Sequence, residues 1–244
     1  SCNPMQAVCV ANVLASASTS TNVTCFGSCN GTATASPSGG TGPYTYAWTP
    51  SGGNAATASG LCPGTYTCTI TDATLATTTT SVTITQPANA LSATQSQGTI
   101  SCNGWNTTAT VVASGGTPSY TYAWSPSGGT AATSTAIGAG SYTCTITDAN
   151  GCTTTQLFTI TAPTALSCSV SVVNAGCQAL GSATATPSGG TGPYTYSWSS
   201  GGNAATENNL AAGTYTVTIT DANGCITTQT ATIMSVTPVT ATST

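Results

Sequence analysis

The sequence predicts an all-β protein made of tandem two-sheet sandwich modules. Three observations carry that reading: a motif written three times, an apolar period of two inside each copy, and turn residues between the periodic runs. The cleanest copy reads Gly189-Gly190-Thr191-Gly192-Pro193-Tyr194-Thr195-Tyr196-Ser197-Trp198 and resumes at Gly213-Thr214-Tyr215-Thr216-Val217-Thr218-Ile219-Thr220-Asp221-Ala222-Asn223-Gly224-Cys225. The same signature runs from Gly39 to Trp48 and Gly64 to Asp72, then from Gly115 to Trp124 and Gly140 to Cys152. Trp48, Trp124 and Trp198 lie 76 and 74 residues apart, and Asp72, Asp148 and Asp221 lie 76 and 73 apart. Spacing that regular marks an array of one module.

The modules are expected at 11–87, 88–163 and 164–238, with seams at Pro87, Pro163 and Pro238. Residues 1–10 read as the tail of a preceding module and 239–244 as the start of a following one, so the chain reads as a fragment of a longer array. Within a module, Tyr194, Tyr196 and Trp198 share a strand face, as do Tyr215, Val217 and Ile219, while threonines occupy the opposite face. Ala183 and Ala185 leave room for the rings, and Ala231 and Ile233 complete the inward set. The core is therefore expected to hold Trp48, Trp124, Trp198, Tyr66, Tyr142 and Tyr215. Asp148-Ala149-Asn150-Gly151 and Asp221-Ala222-Asn223-Gly224 supply hairpin turns, since Asn-Gly tolerates positive φ. Asp72-Ala73-Thr74-Leu75 lacks that pair and is expected to turn differently. Leu61-Cys62-Pro63-Gly64-Thr65-Tyr66-Thr67-Cys68 has the spacing of an immunoglobulin F strand with its tyrosine corner, which makes the modules immunoglobulin-like β-sandwiches. One part of that pattern is missing, because no Cys falls in the opposing strand from Thr32 to Ser36.

Composition removes whole classes of function. The chain of 244 residues has no Lys, Arg or His and only four acids, Asp72, Asp148, Asp221 and Glu207. Without cations it cannot neutralise phosphates, which argues against nucleic acid and against anionic membrane surfaces. No apolar run is long enough to span a bilayer. Catalysis lacks its parts: no base accompanies any Ser or Cys, and the acids are dispersed at about one per module. No enzyme, no catalytic residue and no cofactor is expected. Calcium at the three repeated Asp residues is the sharper alternative to a turn role, but one carboxylate per module is thin for an ion that wants six to eight oxygens. No metal site is expected.

Twelve cysteines without histidine point to disulfides and an oxidising, extracellular setting. Modules of about 75 residues bury small cores, so staples would matter. Cys102 and Cys152 hold the same repeat places as Cys177 and Cys225, and bridges Cys102–Cys152 and Cys177–Cys225 are expected. Loops of about fifty residues closed in this way stabilise by about 4 kcal/mol in the chain-entropy model. The pairing of Cys2, Cys9, Cys25, Cys29, Cys62 and Cys68 stays open, and a Cys144–Cys168 bridge would link neighbouring modules.

The Gly189–Trp198 string, the stretch Leu210-Ala211-Ala212-Gly213 through Cys225, and Thr83-Ile84-Thr85-Gln86-Pro87 together resemble the SprB repeat, and the resemblance covers nearly the whole chain. It implies a giant surface adhesin or filament of gliding Bacteroidota, exported by the type IX secretion system to the bacterial cell surface. It brings no catalytic residues to transfer. The expected function is a structural and adhesive repeat region. Its partners would be neighbouring modules and further copies in a homo-oligomeric filament or bundle, since no Lys guards the strand edges. The competing reading is a module that binds polysaccharide or a target cell, or a spacer in a larger secreted protein. Trp105, present in one module only, is the candidate surface contact.

Overall fold

The computed structural model describes residues 13–177 and 179–235. The expected fragments at 1–10 and 239–244, with Cys2 and Cys9, lie outside the described residues. Eighteen strands and no helix make up the described chain. Chain contacts divide it into two compact units, one of 1–94, 111–123 and 144–156 and the other of 95–110, 124–143 and 157–244. These units do not follow the repeat seams.

In the first repeat, β1 (Ala15–Thr21), β2 (Gly31–Ser38) and β4 (Thr57–Leu61) form one antiparallel sheet in the order β1-β2-β4. The second sheet is β3-β5-β6, from β3 (Thr45–Thr49), β5 (Gly64–Thr71) and β6 (Thr77–Ile84). The chain pairs β1 with β2, crosses to β3, returns for β4, and crosses again to the β5–β6 hairpin. That is the reduced A-B-E and C-F-G arrangement of an immunoglobulin-like sandwich. The pattern recurs as β7-β8-β10 with β9-β11-β12, where β7 is Ser92–Gln97, β8 Thr107–Ser114, β9 Thr121–Ser125, β10 Thr133–Ile137, β11 Gly140–Thr147 and β12 Thr153–Ile160. It recurs again as β13-β14-β16 with β15-β17-β18, where β13 is Ser167–Val173, β14 Gly181–Ser188, β15 Thr195–Trp198, β16 Thr206–Leu210, β17 Gly213–Thr220 and β18 Ile226–Ile233.

The period of two sets the core. Trp198, Val217, Ile219, Ala183, Ala185, Ala231 and Ile233 are buried together, with Tyr194, Tyr196 and Tyr215 half-buried against them. Trp48, Tyr66, Cys68 and Ile70 do the same in the first repeat. Trp124 and Tyr142 are buried in the second, and the Trp124 ring lies 4.9 Å from that of Phe158. Each indole Nε1 donates to a carbonyl six or seven residues on, Ala55, Ala131 and Ala204 at 2.9–3.0 Å, so burial leaves no orphan polar group. The tyrosine corner is present: the hydroxyls of Tyr66 and Tyr215 donate four residues back, to the carbonyls of Cys62 and Ala211.

Cys68 and Cys144 are buried free thiols at the inward strand position that Val217 fills in the third repeat. The expected Cys144–Cys168 bridge is absent, both being free. An inward strand position makes Cys144 a small hydrophobe with no outward path to a partner. Burial pushes the Cys68 and Cys144 thiols up, with a smaller opposing contribution from backbone amides.

The first repeat's turn also differs from expectation. It closes as the Asn-Gly turns do, with the Leu75 amide donating to Asp72 O at 3.0 Å, as Gly151 does to Asp148 and Gly224 to Asp221. Leu75 takes φ 68°, where the two glycines take 83°. An L-residue there carries about 1–2 kcal/mol of steric cost, and the exposed Leu75 side chain gains little packing in return. Leu75→Gly is expected to stabilise the protein by up to about 1 kcal/mol after the entropy of an added glycine is subtracted, which a raised urea midpoint would show.

Candidate functional site

The repeated Asp shapes a turn that the next layer of structure uses. Asp148 Oδ2 accepts from the Thr117 amide at 2.9 Å, and Oδ1 accepts from the amides of Asn150 and Cys152, both at 2.9 Å. Asp221 repeats this with Thr191, Asn223 and Cys225 at 2.8, 2.9 and 2.9 Å. Asp72 accepts from the amides of Thr41, Thr74 and Ala76 and from the Thr74 hydroxyl. All three residues are about 5% exposed, and among the described residues no buried side-chain polar atom lacks a partner. The carboxylate oxygens are thus committed to amides, and among the described residues no group of three or more His, Cys, Asp or Glu could hold a metal ion. A glycine stands against each carboxylate. At Gly190, φ is +62° and an added Cβ would meet Asp221 Oδ2 at 2.7 Å, so any side chain would push the turn apart.

These carboxyls titrate low. For Asp72 the Thr41 amide is the chief cause, followed by the Thr74 hydroxyl. For Asp148 and Asp221 burial pushes the carboxyl up, but four amide donors together outweigh it. A carboxyl held below its unfolded value of about 3.9 adds stability that is fully present above that pH and is lost as pH falls through the folded value. With no histidine in the chain, melting temperature is expected to be flat from about pH 5 to 8 and to fall only below about pH 4, as a calorimetric pH series would show.

Held in this way, the turn presents an asparagine and a cysteine outward, and both engage the neighbouring repeat. Cys152 is bonded to Cys25, in the link between β1 and β2, with Cα atoms 5.8 Å apart. Beside the bond, Asn150 Nδ2 donates to Thr24 O at 3.0 Å and to Thr117 Oγ1 at 2.9 Å. The arrangement is copied one repeat later. Cys225 is bonded to Cys102, in the β7–β8 link, with Cα atoms 5.6 Å apart, and Asn223 Nδ2 donates to Ser101 O at 3.1 Å. A third bond, Cys29–Cys62, ties the β1–β2 link to the β4–β5 link within the first repeat.

This corrects the expected pairings Cys102–Cys152 and Cys177–Cys225; Cys177 is exposed and free. Strand direction explains why. In the third repeat Gly213 pairs with Ile233 at one end of the β17–β18 hairpin and Thr220 with Ile226 at the other. Cys225 adjoins the second end, whereas Cys177 shares a recess with Ala211, Ala212 and Ser235 at the first. Eight-residue strands put about 25 Å between those poles, and a disulfide needs Cα atoms within about 7 Å. A bridge inside one module cannot span it, but a bridge to the next repeat can.

Trp105 sits in the same link as Cys102, its amide donating to Cys102 O at 3.1 Å, and its side chain is 58% exposed. It borders a recess of about 350 Å³ with Asn103, Leu166, Cys225 and Ile226. Glu207, the remaining acid, accepts from the Ser200 hydroxyl at 2.8 Å within its own hairpin region.

The SprB repeat model matches residues 17–54, 94–131 and 169–203. No curated protein matches the sequence. Similar solved structures include Drosophila OTK extracellular domains 3-5, at 13% identity, covering 84% of this chain and 91% of that one with a TM-score of 0.32. The N-terminal eight Ig domains of Down Syndrome Cell Adhesion Molecule isoform 1.30.30 match at 12% identity over 90% and 39% of the two chains, with a TM-score of 0.34. A tetra-tandem repeat in the extending region of a large adhesion protein matches at 15% identity over 90% and 74%, with a TM-score of 0.24. Scores this low decide neither function nor partner.

Proposed function

The chain is an SprB-repeat protein with three copies in tandem, and from that premise we propose that it is a structural and adhesive repeat region of a large extracellular protein. The observation that carries the proposal is the repeated staple, in which each downstream turn is bonded to the A–B link of the repeat before it. Such bonds persist in an oxidising compartment, which supports an extracellular address. The finer reading is a stalk or filament displayed on a bacterial cell surface after type IX secretion, serving gliding or attachment. It has no catalytic task. Force spectroscopy tests the mechanical half of the proposal: the oxidised chain is expected to lengthen far less under load than the reduced chain, and equal lengthening would sink it.

The proposal includes lateral packing of copies into a filament or bundle, through sheet faces and not through strand addition. Side chains join β1 to β6, Ser16 Oγ donating to Thr79 O at 3.1 Å and Thr80 Oγ1 to Ser18 Oγ at 2.8 Å, which covers one pair of sheet edges. The opposite edges, β3 and β4, are five residues each, and Pro43 and Pro50 flank β3. Short edges bordered by proline template poorly. The Thr-rich faces carry almost no charge to desolvate, so they can meet copies of themselves. Sedimentation over a concentration series separates the outcomes, and a monomer at the highest concentration would remove this part of the proposal.

A second reading rests on Trp105. An exposed indole on a recess without charge suits stacking against a sugar ring. Retention of a polysaccharide by the chain, lost in Trp105→Ala, would support recognition as an added role.

A further inference from the structure

Two of the three A–B links carry a cysteine bonded to the following repeat, and the third carries Cys177. The three places are equivalent. Each cysteine stands two residues after a buried apolar residue, Val23, Ile100 or Ala175, and shortly before the second strand of its repeat. Among the described residues no turn cysteine is left to reach it, since Cys152 and Cys225 are both bonded.

The surface around Cys177 is shaped as a seat. A recess of about 340 Å³ is lined by Ala175, Gly176, Ala179, Leu180, Ala211 and Ala212, with no charged residue. Leu180 and the neighbouring Met234 are 57% and 63% exposed. In the first repeat, Cys25 and Phe26 border a recess whose other wall is Ala90, Leu91, Gly116, Cys152 and Thr153 of the second. In both formed joints the link cysteine and a nearby aromatic residue, Phe26 or Trp105, face a wall of the next repeat.

We infer that this pole of the third repeat is a docking surface for the Asp-x-Asn-Gly-Cys turn of a further SprB repeat, whose cysteine forms a disulfide with Cys177. The Asn of that turn donates to the carbonyl of Gly176, the place that Thr24 and Ser101 hold in the two formed joints. The occupant is specified narrowly. A turn of the 72–76 type is excluded, because Ala76 stands where the cysteine is needed. Bond formation removes two protons and two electrons from the two thiols. A small disulfide such as oxidised glutathione accepts them by thiol exchange and leaves as two thiols.

The test extends the protein by one repeat: residues 1–238 followed by a second copy of 164–238, refolded in a glutathione redox buffer. Alkylation and non-reducing peptide mapping then read each cysteine. In the parent chain Cys177 is expected to alkylate completely. In the extended chain that reactivity is lost, and Cys177 is recovered bonded to the appended counterpart of Cys225. With Cys225→Ala in the appended copy only, alkylation of Cys177 returns. A Cys177 that stays reactive in the extended chain, or is found on any other cysteine, overturns the inference. So does protection that persists with the alanine variant. Such failure would leave the two observed bonds, and the function built on them, untouched.

Discussion

Cys225→Ala is expected to lower the unfolding midpoint of the unit that contains residues 95–110 and 157–244 more than any surface substitution in the chain. The bond it removes joins residues 123 apart in sequence. Closing a loop of that length restricts the unfolded chain by about 5 kcal/mol in the entropy model, about 1 kcal/mol beyond what a loop within one module would give. What remains at the joint is the Asn223 hydrogen bond to Ser101 and the apolar contact at the recess. A single hydrogen bond contributes about 1 kcal/mol net, so it does not substitute for the bond. Urea titration of parent and variant, each with and without reductant, checks this. Reductant should bring the parent close to the variant or below it. A variant that matches the oxidised parent would show that the joint is held by packing alone.

Trp198→Ala is the second large effect, and it acts inside one module. Trp198 is 3% exposed and packs among Ala183, Ala185, Val217 and Ile219, which are small or of moderate size. Nothing nearby can expand into the space of an indole. Truncating a buried aromatic residue costs about 3–5 kcal/mol, which is most of the stability a module of this size can hold. The third repeat should lose its amide protection in hydrogen exchange while the 13–87 stretch keeps its own. Trp198→Phe keeps most of the volume but loses the donor to Ala204 O, and its smaller deficit separates packing from the hydrogen bond. Equal loss of protection throughout the chain would mean that the repeats do not unfold as local units.

Much of this was legible in the residues. Alternation of Tyr, Trp, Val and Ile with Thr is a direct record of which way each strand faces, and the buried faces are those the alternation names. The Asp turns were legible as turns but not in their reach. A single carboxylate gathering three amides can impose a left-handed residue even at Leu75, where local preference argues for another turn. Disulfide pairing was hidden for a different reason. Cys25 and Cys102 hold the same place in their repeats, so equivalence alone cannot choose which of them meets Cys152. Strand direction could have chosen, because a link after the first strand and a turn after the fifth fall at opposite poles of a sandwich. Cys29–Cys62 had no such signal, since neither residue has a counterpart in the other repeats.

The two long disulfides overlap in sequence: one spans 25 to 152, the other 102 to 225. A pull applied at Cys25 and Cys225 therefore does not travel along the 200 residues between them (225 − 25). It crosses the first bond to Cys152, runs backward through 50 residues to Cys102 (152 − 102), and crosses the second bond. Fully extended, that route measures about 170 Å, against about 700 Å for the unbridged chain. Even if every strand of the array tore loose, the tether would stop lengthening at a quarter of its contour. Hydrogen bonds set how hard the protein is to unravel, and the crossed bonds set how far it can go.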